Sequence, residues 1–410
     1  MTTMSNQGGA AHEMAPHREV SGHRALWAIR SLFFIMGLLG MAWTPRIPEI
    51  KRSLGVNNGQ FGLILLASTI GATIGAQVCG RLVHTYGSQK VILATGITMP
   101  LGVGLVALST HSVLAICFAL FIVGFSVVGL DIASNTQAVA LEGVLGKRHM
   151  SSFHGLWSVG TLVVTIFGGV IAHFISPRTN ILIIVFISLI ANIWAAANVL
   201  SSEIDGHKGD ESSEGSIPLF GKKYLILWLL GFGMIGALLP EGSVSDWSAI
   251  LLKENMGFGK GVNASAFACF ALAMIVSRLL GDRVLAAIGP VRTVKLGGYI
   301  GALGMGLGIA FGVPLSHSHK PLALIVVDLG FILAGLGIGP MVPAMMLAAA
   351  ALPGIAPSVA LARIGIIGMG AYFIGPTITG GLAQWINLPV ALAFPVLTLL
   401  FAGWISRVMK

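Results

Sequence analysis

The stretch "GLDIASNTQAVALE", residues 129 to 142, sets Asp131, Asn135, Gln137 and Glu142 at the end of an apolar run that begins at Ser112. In an α-helix Asp131, Asn135, Ala138 and Glu142 fall at i, i+4, i+7 and i+11, one continuous face. A charged Asp at bilayer depth costs at least about 2.5 to 3.5 kcal/mol on insertion scales, so such acids face a cavity, find partners and mark ion or solute paths. Asp131 is the deeper acid and is expected on such a path. Glu142 sits at the helix end near Lys147 and Arg148 and is expected in a gate. The next run repeats the spacing with His154, Ser158, Thr161 and Thr165. Two successive polar faces imply a hydrated lumen; for Ser158, Thr161 and Thr165 the competing reading is interhelical hydrogen bonding, worth about 0.6 kcal/mol on average.

Further candidates lie in the second half of the chain. Glu241 stands between Pro240 and Gly242, which weaken a helix locally and free backbone groups for a ligand. Ser245 and Ser248 share its face, with Asp246 and Trp247 about a third of a turn round. Trp43 and Trp247 either stack on a sugar-like ring or anchor the chain at a membrane interface. Arg278 and Asp282 form an i, i+4 pair, and Asp328 is a further acid inside an apolar run. A carboxylate whose exposure changes can load and release a proton, because burial penalises its charged form; His154 could tune or relay that proton.

Other chemistries lack their residues. Cys79, Cys117 and Cys269 are odd in number, have no metal-type spacing and read as packing residues. No metal site and no cofactor is expected. There is no G-x-x-x-x-G-K-[ST] loop, so energy must come from an ion gradient or from the solute's own gradient; with no H-E-x-x-H or G-x-S-x-G, an enzyme is not expected.

The elements that must position these residues are membrane helices. The 410 residues are 55% hydrophobic and 10% charged, with a mean hydropathy of +0.89. That excludes an ordinary water-soluble domain. Continuous apolar runs of spanning length, rather than alternating ones, predict an all-α membrane protein. Spans are expected near residues 25–44, 60–80, 91–108, 112–141, 152–175, 181–200, 224–252, 263–281, 295–313, 321–347, 364–384 and 388–406. Residues 1–23 read as a disordered cytoplasmic tail, 24–200 as one half, 201–222 as a Ser-, Gly- and charge-rich linker, and 223–410 as a second half. Lys and Arg gather in alternate turns, which places both termini in the cytoplasm. The net charge of +9 then reflects topology and the anionic inner leaflet, not nucleic acid.

The halves resemble each other. An offset of 202 residues superimposes Gly55 on Gly257, Arg81 on Arg283, Gly87 on Gly289 and Lys90 on Arg292. Such repeats place a solute site at the interface of the halves and let them rock around it.

The short basic loops "GRLVHTYGSQK" (80–90) and "DRVLAAIGPVR" (282–292) carry a family resemblance. They are similar to the inter-span signature of the major facilitator superfamily: a Gly, an Asp four residues later, a second Gly, then basic residues. Gly80, Gly87 and Lys90 match, whereas His84 replaces the Asp of the usual acidic lock, and Ser88 and Gln89 replace basic residues. The resemblance implies a gate formed by Gly80, Arg81, His84, Gly87, Lys90, Glu142, Arg148, Arg278, Asp282, Arg283 and Gly289.

Residues 129–160 resemble more narrowly the MosC-like branch, distantly related to fucose and other sugar permeases. Asp131, Asn135, Gln137, Glu142, Arg148, Phe153, His154, Ser158 and Gly160 match its pattern, as do Glu241, Gly242, Asp246 and Trp247 in "PEGSVSDWSAILL" (240–252). "SRLLGDR" (277–283) is a third patch. The resemblance implies twelve helices in two pseudo-symmetric halves in a bacterial inner membrane. It implies a functional monomer that moves a small solute by alternating access; the polar faces carrying Asp131 and His154 favour a polar, sugar- or polyol-like solute, and Asp131 makes protons the expected coupling ion. An exporter of amphipathic compounds, or a receptor or scaffold that keeps the fold without transport, stays open as an alternative. The pathway residues expected are Asp131, Asn135, Gln137, His154, Ser158, Trp43, Glu241, Asp246, Trp247 and Asp328.

Overall fold

In a computed structural model, residues 10–109, 111–147, 149–171, 174–202, 225–353, 355 and 357–409 are described. Among them twelve helical segments are long and apolar enough to cross a bilayer, and there is no strand. The first half holds α1 (Gly22–Leu54), α2 (Asn58–Tyr86), α3 (Ser88–Leu108), α4 (Val113–Leu145), α5 (Ser152–Ile171) and α6 (Pro177–Asn198). The second holds α7 (Leu225–Asn255), α8 (Val262–Leu279), α9 (Gly281–Leu315), α10 (Lys320–Ala350), α11 (Arg363–Trp385) and α12 (Leu388–Met409). Every expected span is present. The two largest extensions are in α1, which Pro45 and Pro48 carry on to Leu54 by starting new helical turns, and in α9, which takes in the turn at Gly289.

The ends follow local chemistry. Asn57 and Gln60 form a reciprocal capping box before α2, satisfying two otherwise orphaned N–H groups. Ser112 and Ser176 cap α4 and α6. The helix of α1 begins upstream, at Ala10, so residues 10–23 are helical where a tail is expected; Ala, Met and Glu there favour helix. Residues 1–9 and 203–224, the latter taking in most of the expected linker 201–222, lie outside the described residues.

The repeat is visible in the backbone. Gly55 and Gly257 adopt φ of 67° and 68°. Gly87 (φ 86°, ψ 156°) and Gly289 (φ 76°, ψ 164°) occupy a region essentially restricted to glycine. Each makes a one-residue turn into the following helix, as the loops predict.

Apolar side chains also point outward. On α9 Leu296, Ile300, Leu303, Leu307 and Phe311 are exposed at helical spacing, and on α6 Phe186, Ile187, Ile190 and Trp194 are. Bands of this extent are untenable in water and fit a lipid-facing surface.

Among the described residues the two halves meet at the end opposite the one bearing Gly22 and Met409, the latter here called the terminal end. There Lys51 Nζ pairs with Glu254 Oε2 at 2.7 Å, and Asn263 Nδ2 donates to the Pro45 carbonyl at 3.3 Å. Fully buried Arg46 donates to the Ile175 carbonyl at 3.2 Å. α2 packs on α11 and α5 on α8; nearest the terminal end, Thr69 Oγ1 donates to the Tyr372 carbonyl at 3.1 Å. Among the described residues α4 makes no extensive packing with α10 or α11. A cleft between the halves results, closed at the distal end.

Candidate functional site

Within this cleft two cavities adjoin. The larger, of about 440 Å³, is bounded by Phe33 and Met36 of α1, Ser68 and Thr69 of α2, Asp131 of α4 and His154 of α5. The smaller, of about 150 Å³, is lined by Ser158 and Thr161 of α5, Glu241 and Ser245 of α7, and Arg278 of α8. Trp157 of the first half and Tyr372 of the second line both.

Backbone packing fixes the first-half groups. A methyl at Gly37 would collide with the Trp157 carbonyl, and one at Gly160 with the Phe34 carbonyl. Glycine at both places lets α1 and α5 touch backbone to backbone, which holds Trp157 and His154 at the cavity. The His154 ring meets Phe33 edge-on at 5.1 Å between centroids. Asn135 Nδ2 donates to Asp131 Oδ1 and to the Asp131 carbonyl, both at 2.9 Å. Asp131 therefore has one carboxylate oxygen oriented by its own helix, and His154 is its electrostatic partner across the cavity.

The second-half groups form a charged cluster. Arg278 Nη2 donates to Glu241 Oε2 at 3.2 Å and to Oε1 at 3.4 Å. This corrects the expected pairing of Arg278 with Asp282, which is exposed. A carboxylate beside a partly dehydrated cavity attracts a guanidinium more strongly than one in solvent. Ser245 Oγ donates to Asp246 Oδ1 at 3.2 Å and to the Gly242 carbonyl at 3.0 Å. Tyr372 interacts electrostatically with Glu241, Arg278 and Asp246.

Several expected pathway residues sit elsewhere. Gln137 is fully buried; its amide donates to Ser88 Oγ at 2.8 Å and to the Leu200 carbonyl at 2.9 Å, and accepts from the Leu200 N–H at 2.9 Å. It staples α4 to the start of α3 and the end of α6, one helical face away from the cavity. Gln137→Leu should therefore lower stability by about 1–3 kcal/mol, the cost of leaving buried partners unpaired. Transport per folded molecule should stay unchanged, as thermal unfolding alongside flux normalised to folded protein would check.

Both tryptophans are core residues, not stacking platforms. Trp43 is buried, and Trp247 is wholly buried with its ring edge-on to Phe61 at 5.9 Å. Phe61 of α2 and the glycine backbone at Gly380 of α11 lie against the indole, so neither a solute nor the bilayer interface reaches it. Asp328 lines neither cavity; it accepts from Ser265 Oγ at 3.0 Å, joining α10 to α8. Thr161 Oγ1 donates to the Gly37 carbonyl at 3.3 Å while also lining the smaller cavity, so both readings of that residue hold.

At the terminal end, Glu142 accepts from the backbone N–H groups of His149 and Met150, capping the start of α5 where a carboxylate complements the helix dipole. Arg81, His84, Lys90 and Arg283 are exposed there, and Gly80 has open space around it. Arg148 lies outside the described residues.

Sequence reasoning missed Trp157 and Tyr372. Tyr372 is one of only four tyrosines and stands among glycines in an apolar span, a signal available without coordinates. The Glu241–Arg278 pair has none, since no spacing rule links two helices.

Comparison with known proteins is consistent along the chain. The family model described as Major Facilitator Superfamily matches residues 30–360. An uncharacterized MFS-type transporter of Yersinia pestis is 34% identical over 382 residues, covering 92% of this chain and 94% of that protein. The membrane protein MosC of Rhizobium meliloti is 28% identical, covering 90% and 86%. Among solved structures, a mutant of the nucleoside transporter NupG aligns with a TM-score of 0.77 at 12% identity, covering 93% of this chain and 99% of that one. A bacterial homolog of the human lysosomal transporter Spinster aligns with a TM-score of 0.72 at 12% identity, covering 94% and 96%.

Proposed function

The chain belongs to the major facilitator superfamily and is a membrane transporter of that family, and we propose that it moves a small polar, sugar- or polyol-like solute by proton-coupled alternating access. One observation carries this reading: both halves deliver polar and charged groups to a single cleft that is closed at one end. From the first half come Asp131, oriented by Asn135, with His154 and Ser158; from the second, Glu241, Arg278 and Ser245. Hydrogen-bond donors and acceptors of both signs, flanked by Trp157 and Tyr372, suit a hydroxylated ring.

In this reading the termini are cytoplasmic, the membrane is the bacterial inner membrane, and one chain is the working unit. The distal end is then periplasmic and the described state is open inward. Outward opening must break the Lys51–Glu254 pair and part α2 from α11. Asp131 would exchange its proton with the cleft as exposure changes, with His154 as relay.

Export of amphipathic compounds is the second reading. The apolar wall of the larger cavity, Phe33, Met36, Val127, Val128 and Met369, favours it.

Reconstituted vesicles loaded with a pH-sensitive dye discriminate the two. A polyol or sugar that moves protons down an imposed gradient supports uptake, whereas dye acidification driven only by lipophilic cations supports export. Binding of a solute with no flux of it in either direction would sink both.

A further inference from the structure

A groove separate from the cleft lies on the outer face of the first half, at the terminal end. It encloses about 560 Å³ between α1, α5 and α6. We propose that it seats an anionic glycerophospholipid from the leaflet at that end, an acyl chain along its apolar wall and the headgroup against the arginines at its rim.

The cations come from α1. Arg24, Trp27, Ser31 and Phe34 succeed one another at helical spacing along the groove, with His23 and Arg30 beside them. Arg24 and Arg30 are six residues apart, about 9 Å along a helix axis. The pair thus reaches from headgroup level to the edge of the hydrocarbon. Arg30 lies inside the span, with its guanidinium 4.9 Å from the centre of the Trp27 ring. Among the described residues neither arginine forms an ion pair with a carboxylate. A guanidinium at that depth is costly unless an anion meets it, and none of the described residues supplies a carboxylate there. The bilayer supplies phosphates at that level, and a guanidinium fork matches a phosphate bidentately.

The remaining walls suit the rest of a lipid. Phe34 and Leu156 form an apolar floor, and Trp194 closes the far side. Trp27 is 60% exposed and Trp194 48% exposed, so the groove faces the bilayer rather than the core. From Trp194 the exposed apolar band of α6, Ile190 and Ile187, continues toward the membrane interior as a track for acyl chains. Cations at the interface, tryptophans at headgroup depth and an apolar track below are the arrangement that selects anionic lipid over bulk lipid.

The test uses the full-length protein in detergent with equal phosphatidylglycerol and phosphatidylethanolamine, bound lipid being counted by native mass spectrometry. Wild type should retain phosphatidylglycerol preferentially. Arg24→Gln and Arg30→Gln should each lower that retention about fivefold, and Arg24→Lys/Arg30→Lys should keep only part of it, since an ammonium carries the charge without the bidentate fork. Equal retention by wild type and the double glutamine variant, when both elute as single monodisperse species, overturns the proposal. Displacement of the lipid by inorganic phosphate at comparable concentration also overturns it, since the site would then take a free anion. A second measurement needs no arginine variant: phosphatidylglycerol brominated on its chains should quench wild-type tryptophan fluorescence more than brominated phosphatidylcholine. The excess should vanish in Trp27→Phe/Trp194→Phe; an excess that survives places the lipid elsewhere and refutes the assignment.

Discussion

Asp131→Asn is expected to abolish proton-driven accumulation of solute while leaving solute exchange across the membrane intact. The replacement is isosteric, and its side-chain carbonyl can still accept the Asn135 hydrogen bond that now reaches Oδ1 at 2.9 Å. What it cannot do is take up and release a proton. Accumulation against a gradient should fall at least about tenfold, a loss of about 1.4 kcal/mol or more, whereas counterflow between equal solute pools should stay within about twofold of wild type. The two assays on the same vesicles separate coupling from binding. Equal accumulation by variant and wild type would mean that Asp131 is structural and that the proposed coupling fails.

The second large effect is expected at the pair in the other half. Arg278→Gln leaves the Glu241 carboxylate facing the cavity without its partner. Breaking a wholly buried pair costs roughly 3–5 kcal/mol, but here the arginine side chain is 34% exposed and that of Glu241 20%. Solvent screening reduces the expected loss to roughly 1–3 kcal/mol. Transport should be lost in either single variant. In Glu241→Gln/Arg278→Gln the stability should return toward wild type, since no charge is left unpaired, while transport stays lost. Thermal unfolding of the four proteins forms a double-mutant cycle, and strictly additive losses would show that the two side chains do not interact.

The sequence by itself determined the membrane helices and their order, because twenty or so consecutive apolar residues have only one way to satisfy their backbone in a bilayer. It also determined the duplicated architecture, carried by Gly87 and Gly289, whose backbone angles are nearly the same. Asp131, Asn135, His154 and Ser158 were legible for a local reason: helical spacing puts residues of one run on one face, and a costly acid marks that face as facing away from lipid. The tertiary structure alone decided which polar groups that logic misplaces. Gln137 shares the quoted stretch yet turns to Leu200 and Ser88, because a buried amide goes wherever a neighbouring helix end leaves backbone groups unpaired, and only packing places that end. Trp43 and Trp247 left the site because interior volume at the distal end had to be filled where the halves meet. Arg278 found Glu241 on another helix, and the Tyr372 carbonyl found Thr69 of the other half. These are contacts between segments far apart in the chain, and periodicity along one helix carries no information about its rotation relative to another.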